Sequence, residues 1–255
     1  MTKTDATKRF SNRVSNYIKY RPGYPDEIIS YLVKECELKV TDKIADIGSG
    51  TGIFSVILLD NGYTVYGVEP NEYIRTAAEN LFTNNKKFIS IDGTAENTTL
   101  QQHSIDLVVC AQAFHWFHPD KTRTEFKRIL KNDNKYVALI WNNRLTNVDE
   151  FSKAYDKLLE DRSTDYKKVN HQHLKGVNFE QFFKDGKYTL AKFHNQQVFD
   201  YEGLARRAFS SSYVPAQDTE GGIEFDKLLK QVFDKYQVNN KVVFRYETEI
   251  YLGKV

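Results

Sequence analysis

Three glycines lie two apart in the run Asp46-Ile47-Gly48-Ser49-Gly50-Thr51-Gly52. Glycine lets a backbone take φ > 0 and admits a ligand where a Cβ would block it. A helix starting just behind such a run adds unpaired N–H groups. A carboxylate, Glu69, stands 23 residues after Asp46. In an α/β unit, an acid about 20 residues beyond the glycine turn can accept both hydroxyls of a ribose. Together these residues point to a ligand that contains adenosine.

The flanking residues show how such a site would be held. Lys43-Ile44-Ala45 leads in, and Ile53-Phe54-Ser55-Val56-Ile57-Leu58-Leu59 leads out. That reads as strand, turn, helix. Thr64-Val65-Tyr66-Gly67-Val68 reads as a second strand, ending at Glu69. The dinucleotide fingerprint G-x-G-x-x-G does not fit, because Ile53 occupies the place of its third glycine. Asp46 would also repel a pyrophosphate, whereas it would suit an ammonium group. S-adenosylmethionine carries no phosphate, but has an amino-acid tail and a sulfonium. In Asp46 to Gly52 the sequence resembles the first motif of the class I S-adenosylmethionine-dependent methyltransferases, and more narrowly the methyltransferase type 11 and trans-aconitate methyltransferase types. The plainer alternative is a tight turn in any α/β domain.

Later motifs fall in the order that resemblance implies. Glu69-Pro70-Asn71 closes the second strand, and the family's acid there holds the ribose hydroxyls. Phe88-Ile89-Ser90-Ile91 reads as a third strand before Asp92-Gly93-Thr94-Ala95-Glu96. The resemblance implies that the Asp92 side chain and the N–H of Thr94 or Ala95 meet the adenine edge. Ile105 to Cys110 reads as a fourth strand, nearly continuous in apolar character, as buried parallel strands are. It runs into Ala111-Gln112-Ala113-Phe114-His115-Trp116-Phe117, and Tyr136 to Trp141 reads as a fifth strand. Helical spacing fills 53–61, 71–84 and 119–131. Repeated βα alternation predicts right-handed crossovers and a parallel sheet.

Before the first strand, Arg21-Pro22-Gly23-Tyr24-Pro25 reads as a turn and 26–37 as an amphipathic helix (Ile28, Ile29, Leu32, Val33). After the fifth strand, helical spacing recurs near Phe151, Tyr155, Leu158 and Leu159, and again over 201–213 and 223–236. Strand patterns recur at 188–200 and 241–252. The expected fold is therefore α/β and Rossmann-like: a seven-stranded methyltransferase sheet, last strand antiparallel, with helical cap insertions. The expected organisation is a cofactor-covering leader (1–40), a cofactor-binding core (41–142), and the remaining strands with a substrate cap (143–255), in one continuous unit.

Composition narrows the function classes. Net charge is +2 over 255 residues, which makes no case for a nucleic-acid partner. No run of 18 apolar residues exists, and the start lacks the apolar core of a signal peptide, so a cytoplasmic protein without a membrane partner is expected. Cys36 and Cys110 are isolated, which argues against a disulfide and for a reducing compartment. A homo-oligomer stays open. His171 and His173 form an H-x-H pair with no third ligand at metal spacing, so no metal is expected.

Methyl transfer from a sulfonium needs alignment and exclusion of water more than an obligatory triad. A base is required only where the nucleophile carries a proton. His115 is the candidate catalytic residue, as orienter or base, and also a candidate substrate contact with Tyr17 and Tyr213. Trp116 would pack on adenine or near the sulfonium. The alternative is that residues 114–117 are core. His118 reads as a surface or capping residue, and Asp106 as structural. The resemblance implies cofactor contacts from Arg21, Asp46, Gly48, Ser49, Gly50, Gly52, Glu69, Pro70, Asp92, Gly93, Thr94, Ala95, Gln112 and Trp116. Arg206 and Arg207 could hold a carboxylate as a pair, or simply face solvent; Ser210, Ser211 and Ser212 follow them. Gln112-Ala113-Phe114-His115 is not the Asn/Asp-Pro-Pro-Tyr/Phe run of amide and nucleobase N-methylating enzymes. The expected activity is methyl transfer to a small-molecule acceptor at oxygen. Protein or RNA methylation, and a non-catalytic S-adenosylmethionine-binding module, are the alternatives; a dinucleotide oxidoreductase is disfavoured by the glycine spacing.

Overall fold

The apolar runs read from the sequence become the strands of one sheet. The computed structural model describes residues 20–164, 166 and 177–255. Strands β1 (Lys43–Ile47), β2 (Thr64–Val68), β3 (Phe88–Ile91), β4 (Leu107–Ala111), β5 (Tyr136–Arg144), β6 (Tyr188–Phe199) and β7 (Val242–Gly253) lie in the order β3-β2-β1-β4-β5-β7-β6. The pairs β1–β2, β1–β4, β2–β3 and β4–β5 are parallel. Side-chain contacts fix the sense of β7 against β6. Thr189 meets Leu252 near one end and Gln197 meets Tyr246 near the other, so the last strand runs antiparallel. This is the expected seven-stranded sheet.

The chain forms two compact units. The larger takes in 23–142, 177–193 and 248–255; the second takes in 20–22, 143–164, 166 and 194–247 among the described residues. In the larger unit, α1 (Glu27–Cys36), α2 (Ile53–Asp60), α3 (Glu72–Leu81) and α4 (Pro119–Ile129) alternate with the parallel strands, and α6 (Val177–Phe182) comes later. Each helix has a local cause. Helix α1 buries Ile28, Ile29, Leu32 and Cys36 on one face and stops where Glu37 turns left-handed. Helix α3 starts at Asn71, whose side chain accepts the Ile74 N–H.

Strands β1 and β4 are buried almost throughout, as strands covered on both faces must be. One core face is aromatic: Phe114, Trp141, Phe179, Phe182 and Tyr251 pack together, with Phe179 and Tyr251 stacked at 4.2 Å. Cys36 and Cys110 are buried free thiols.

The second unit is built on α5 (Glu150–Arg162), α7 (Tyr201–Phe209) and α8 (Glu220–Tyr236). Asp149, Asp200 and Thr219 cap these helices by accepting the N–H groups of Ser152, Gly203 and Gly222. Its core joins Phe151, Tyr155, Leu204, Phe225, Phe233 and Phe244. Among the described residues no helix is long and apolar enough to cross a membrane.

Candidate functional site

Strand register assembles the site. Ile47, Val68 and Ile91 sit in one row across β1, β2 and β3. The residues just beyond are Gly48, Glu69 and Asp92, so all three motifs meet at the carboxyl ends of neighbouring parallel strands. The sheet order reverses direction between β1 and β4, and the crevice there is where open α/β sheets hold ligands. Backbone bonds lock the row: the Gly48 N–H reaches Val68 O at 2.9 Å and the Glu69 N–H reaches Ile91 O at 3.1 Å.

The glycine turn is shaped for close approach. Gly48 has φ +70°, and a Cβ there would lie 2.6 Å from the Ala113 Cβ, so the turn and the segment after β4 need a glycine to touch. Gly50 has φ +58°, with open space where its Cβ would be. That space is a cradle that any side chain would fill. The Gly50 N–H donates to Glu69 Oε2 at 3.2 Å, and the Asn71 N–H donates to Oε1 at 2.9 Å. Each Glu69 oxygen therefore keeps a lone pair for a hydroxyl donor. Burial raises the Glu69 carboxyl, while the Asn71 and Gly50 N–H groups and the Arg75 charge pull the other way.

Asp46 is 1% exposed. Its Oδ2 accepts the Ser55 hydroxyl at 2.7 Å, and among the described residues its Oδ1 has no hydrogen-bond partner. Burial pushes the carboxyl up to about 7, the Ser55 bond lowers it, and the Glu69 charge raises it further. An unsatisfied buried acceptor calls for a donor. A cationic ligand group would fit it and would favour the ionised form.

The other predicted residues fall around this row. Ser49 is buried in the turn, Gly52 caps α2 at φ +87°, and Pro70 is exposed after β2. Asp92 is 72% exposed at its side chain and meets Arg75 at 3.3 Å. The Gly93 Cβ would strike Thr98 O at 2.8 Å, so this glycine serves packing. Thr94 and Asn97 exchange backbone bonds, and Ala95 is buried. Gln112 holds φ +58°, uncommon for a non-glycine residue, and its side chain donates to Asn142 O at 3.2 Å. The run 114–117 divides: Phe114 is core, His115 is half-buried, and Trp116 is 41% exposed, its ring 4.8 Å from that of His115. His118 is exposed at the cap position of α4, and its side chain makes no capping bond. Asp106 is structural, buried against Lys131 at 2.7 Å and Lys135 at 3.1 Å.

Arg21 and Tyr213 belong to the second unit. Tyr17, His171 and His173 lie outside the described residues. The pair Arg206–Arg207 splits: Arg206 is on the surface with Glu202 at 2.8 Å, whereas Arg207 is buried.

Two residues of this site were not foreseen. Arg75 donates to Glu69 O at 2.9 Å and to Asp92 Oδ1, and so ties the second and third motifs together. Its position one turn into α3 was the available signal. Ser55 holds Asp46 from the first turn of α2. Among the described residues no group of His, Cys, Asp and Glu could hold a metal ion.

The comparisons bear on this geometry. Residues 45–138 match the family model of a methyltransferase domain. An uncharacterised methyltransferase of Schizosaccharomyces pombe is 28% identical over 253 residues, covering 96% of each chain. A second uncharacterised methyltransferase-like protein of that yeast is 34% identical over 152 residues, covering 58% of this chain and 56% of its own length. A solved structure from Anaeromyxobacter dehalogenans, provisionally named a type II methyltransferase, matches with a TM-score of 0.68 at 21% identity, covering 92% of this chain and 98% of its own. At that identity the likeness speaks for the fold.

Proposed function

Because the chain is a class I S-adenosylmethionine-dependent methyltransferase, we propose that it methylates a small-molecule acceptor at oxygen. S-adenosylmethionine is its cofactor, and when bound it supplies a methyl group activated by a sulfonium. The observation that carries the assignment of residues is the row Gly48–Glu69–Asp92 with the unpartnered Asp46 Oδ1 behind it. Glu69 accepts the two ribose hydroxyls with the lone pairs left by Gly50 and Asn71. Asp46 takes the ammonium of the amino-acid tail. Asp92 and the Ala95 N–H take the adenine edge, since the Thr94 N–H is already bonded to Asn97 O. Gly48, Ser49, Gly50 and Gly52 let the backbone approach. Trp116 and Gln112, beyond the end of β4, wall the same crevice, and the exposed indole of Trp116 is the surface a ligand would cover.

His115 stands beside Trp116 as the residue that orients the acceptor, or removes its proton when the acceptor is a phenol or alcohol. Burial and alignment supply the rest, because an in-line displacement gains most from a fixed approach and excluded water. The test uses cofactor labelled in its methyl group, incubated with the protein and an extract separated into protein, RNA and low-mass pools. Label in the low-mass pool, released as methanol by mild base or retained as a stable ether, is the expected result. Label confined to protein or RNA would contradict the small-molecule assignment.

A further inference from the structure

The second unit holds a buried cation that the cofactor row does not use. Arg207 on α7 is 7% exposed. Its Nη1 donates to the buried Ser211 Oγ at 3.2 Å, and among the described residues its Nε has no hydrogen-bond partner. Burial opposes its charge, whereas the phenols Tyr246, Tyr213 and Tyr155 favour it, Tyr246 also through a hydrogen bond; among the described residues no carboxylate pairs with it. Tyr155 and Tyr246 are themselves buried.

A second arginine among the same phenols shows what is missing. Arg144, at the end of β5, also acts on Tyr155 and Tyr213. It meets Asp156 Oδ1 at 2.6 Å and the Tyr166 hydroxyl at 2.8 Å, and it lies over the Tyr155 ring at 4.9 Å. Arg144 thus has its counter-charge within the fold. Among the described residues Arg207 has none, and a guanidinium cannot shed its proton to escape burial. Taking such an ion out of water without a counter-charge is costly. Burial would raise the Tyr213 phenol, yet the charges of Arg207, Arg21 and Arg144 and a hydrogen bond with Ser211 hold it below its ordinary value, so the surroundings already favour a negative group.

We propose that Arg207, held by Ser211 and beside the Tyr213 hydroxyl, is a binding site for a small carboxylate ligand. The site lies wholly within the second unit and goes beyond the methyl-transfer activity. The planar fork of the guanidinium matches the two oxygens of a carboxylate, and the Tyr213 hydroxyl can donate to a remaining lone pair. One uncompensated charge calls for a monoanionic group rather than a doubly charged phosphate.

The test is calorimetric titration of the folded protein at constant ionic strength with acetate, benzoate, succinate and inorganic phosphate, and separately with S-adenosylmethionine. Saturable binding of at least one carboxylate is expected. Arg207→Met should weaken it by roughly tenfold or more, equivalent to about 1.4 kcal/mol, with cofactor affinity unchanged. Arg207→Lys keeps the charge but loses the fork, and should fall between the two; it is the variant to read if Arg207→Met does not fold. The proposal is overturned if protein that binds the cofactor binds no carboxylate, if phosphate binds more tightly than every carboxylate, or if Arg207→Met binds as the wild type does. Failure of the wild type to bind the cofactor would instead overturn the methyltransferase site, a separate readout on the same sample.

Discussion

Asp46 and Arg207 are both buried, both carry an atom with no hydrogen-bond partner among the described residues, and belong to different units. Their options in the free protein differ. Asp46 can take up a proton, and burial pushes it up to about 7 for that reason. Arg207 stays charged, so only an incoming anion can neutralise it. One site can wait in a neutral form for a cationic group; the other is a standing positive charge that selects its ligand by sign. An ammonium-bearing cofactor suits the first, and an acid suits the second.

The comparison breaks most sharply at the glycine turn. Gly50→Val would place a β-branched side chain at φ +58° and fill the open cradle. Affinity for S-adenosylmethionine should fall by roughly a hundredfold or more, about 2.7 kcal/mol, while carboxylate binding at Arg207 persists. A calorimetric loss of less than about threefold would detach the cradle from the cofactor. Glu69→Ala should weaken the same binding by roughly tenfold or more, because it removes the proposed ribose acceptor and strands two N–H groups.

Proton linkage gives a finer separation. If the ammonium needs ionised Asp46, cofactor affinity should decline by about tenfold per unit as pH drops below about 7. Asp46→Asn should flatten that slope, and a wild-type profile already flat across this range would remove Asp46 from the contact. Stability runs the opposite way. The folded state holds the Asp46 proton that the unfolded chain gives up, so this group's contribution fades as pH rises from the ordinary carboxylate range toward about 7. The smallest effect is a control. Asp106 is held below the usual carboxylate range, since bonds from Lys131, Lys43 and Lys135 outweigh its burial. Its contribution is present above that range and lost as acid protonates it. Asp106→Asn should lower unfolding stability by about 1–2 kcal/mol in denaturant melts, and leave both binding sites as they were.

The row Gly48–Glu69–Asp92 was legible in the sequence because each of its parts is local. A glycine turn, an acid at a strand end and an apolar run each announce themselves within a few residues, and parallel register then lines them up. Boundaries differed: the fifth strand runs on to Arg144 past Trp141, the helix expected over 71–84 ends at Leu81, and the fourth strand begins at Leu107, because Ile105 pairs instead with Leu130 at the end of α4. The arginine site was less legible, because burial of a charge depends on packing between distant segments. Its signal was one of phase. Arg207 stands three residues after Leu204 and so shares that residue's buried face, whereas Arg206 stands four after Glu202 and shares the solvent face. Read as a pair, the two arginines hide this difference. Nothing local to Arg207 announces Arg144, Tyr155 or Tyr246, which come from other elements.

The most direct measurement is calorimetric titration of the wild-type protein with S-adenosylmethionine, its demethylated product and NAD. Micromolar binding of the first two with no heat from NAD is the predicted result. Folded protein that gives no saturable heat with the sulfonium, or that binds NAD in its place, would contradict the assignment of the glycine turn.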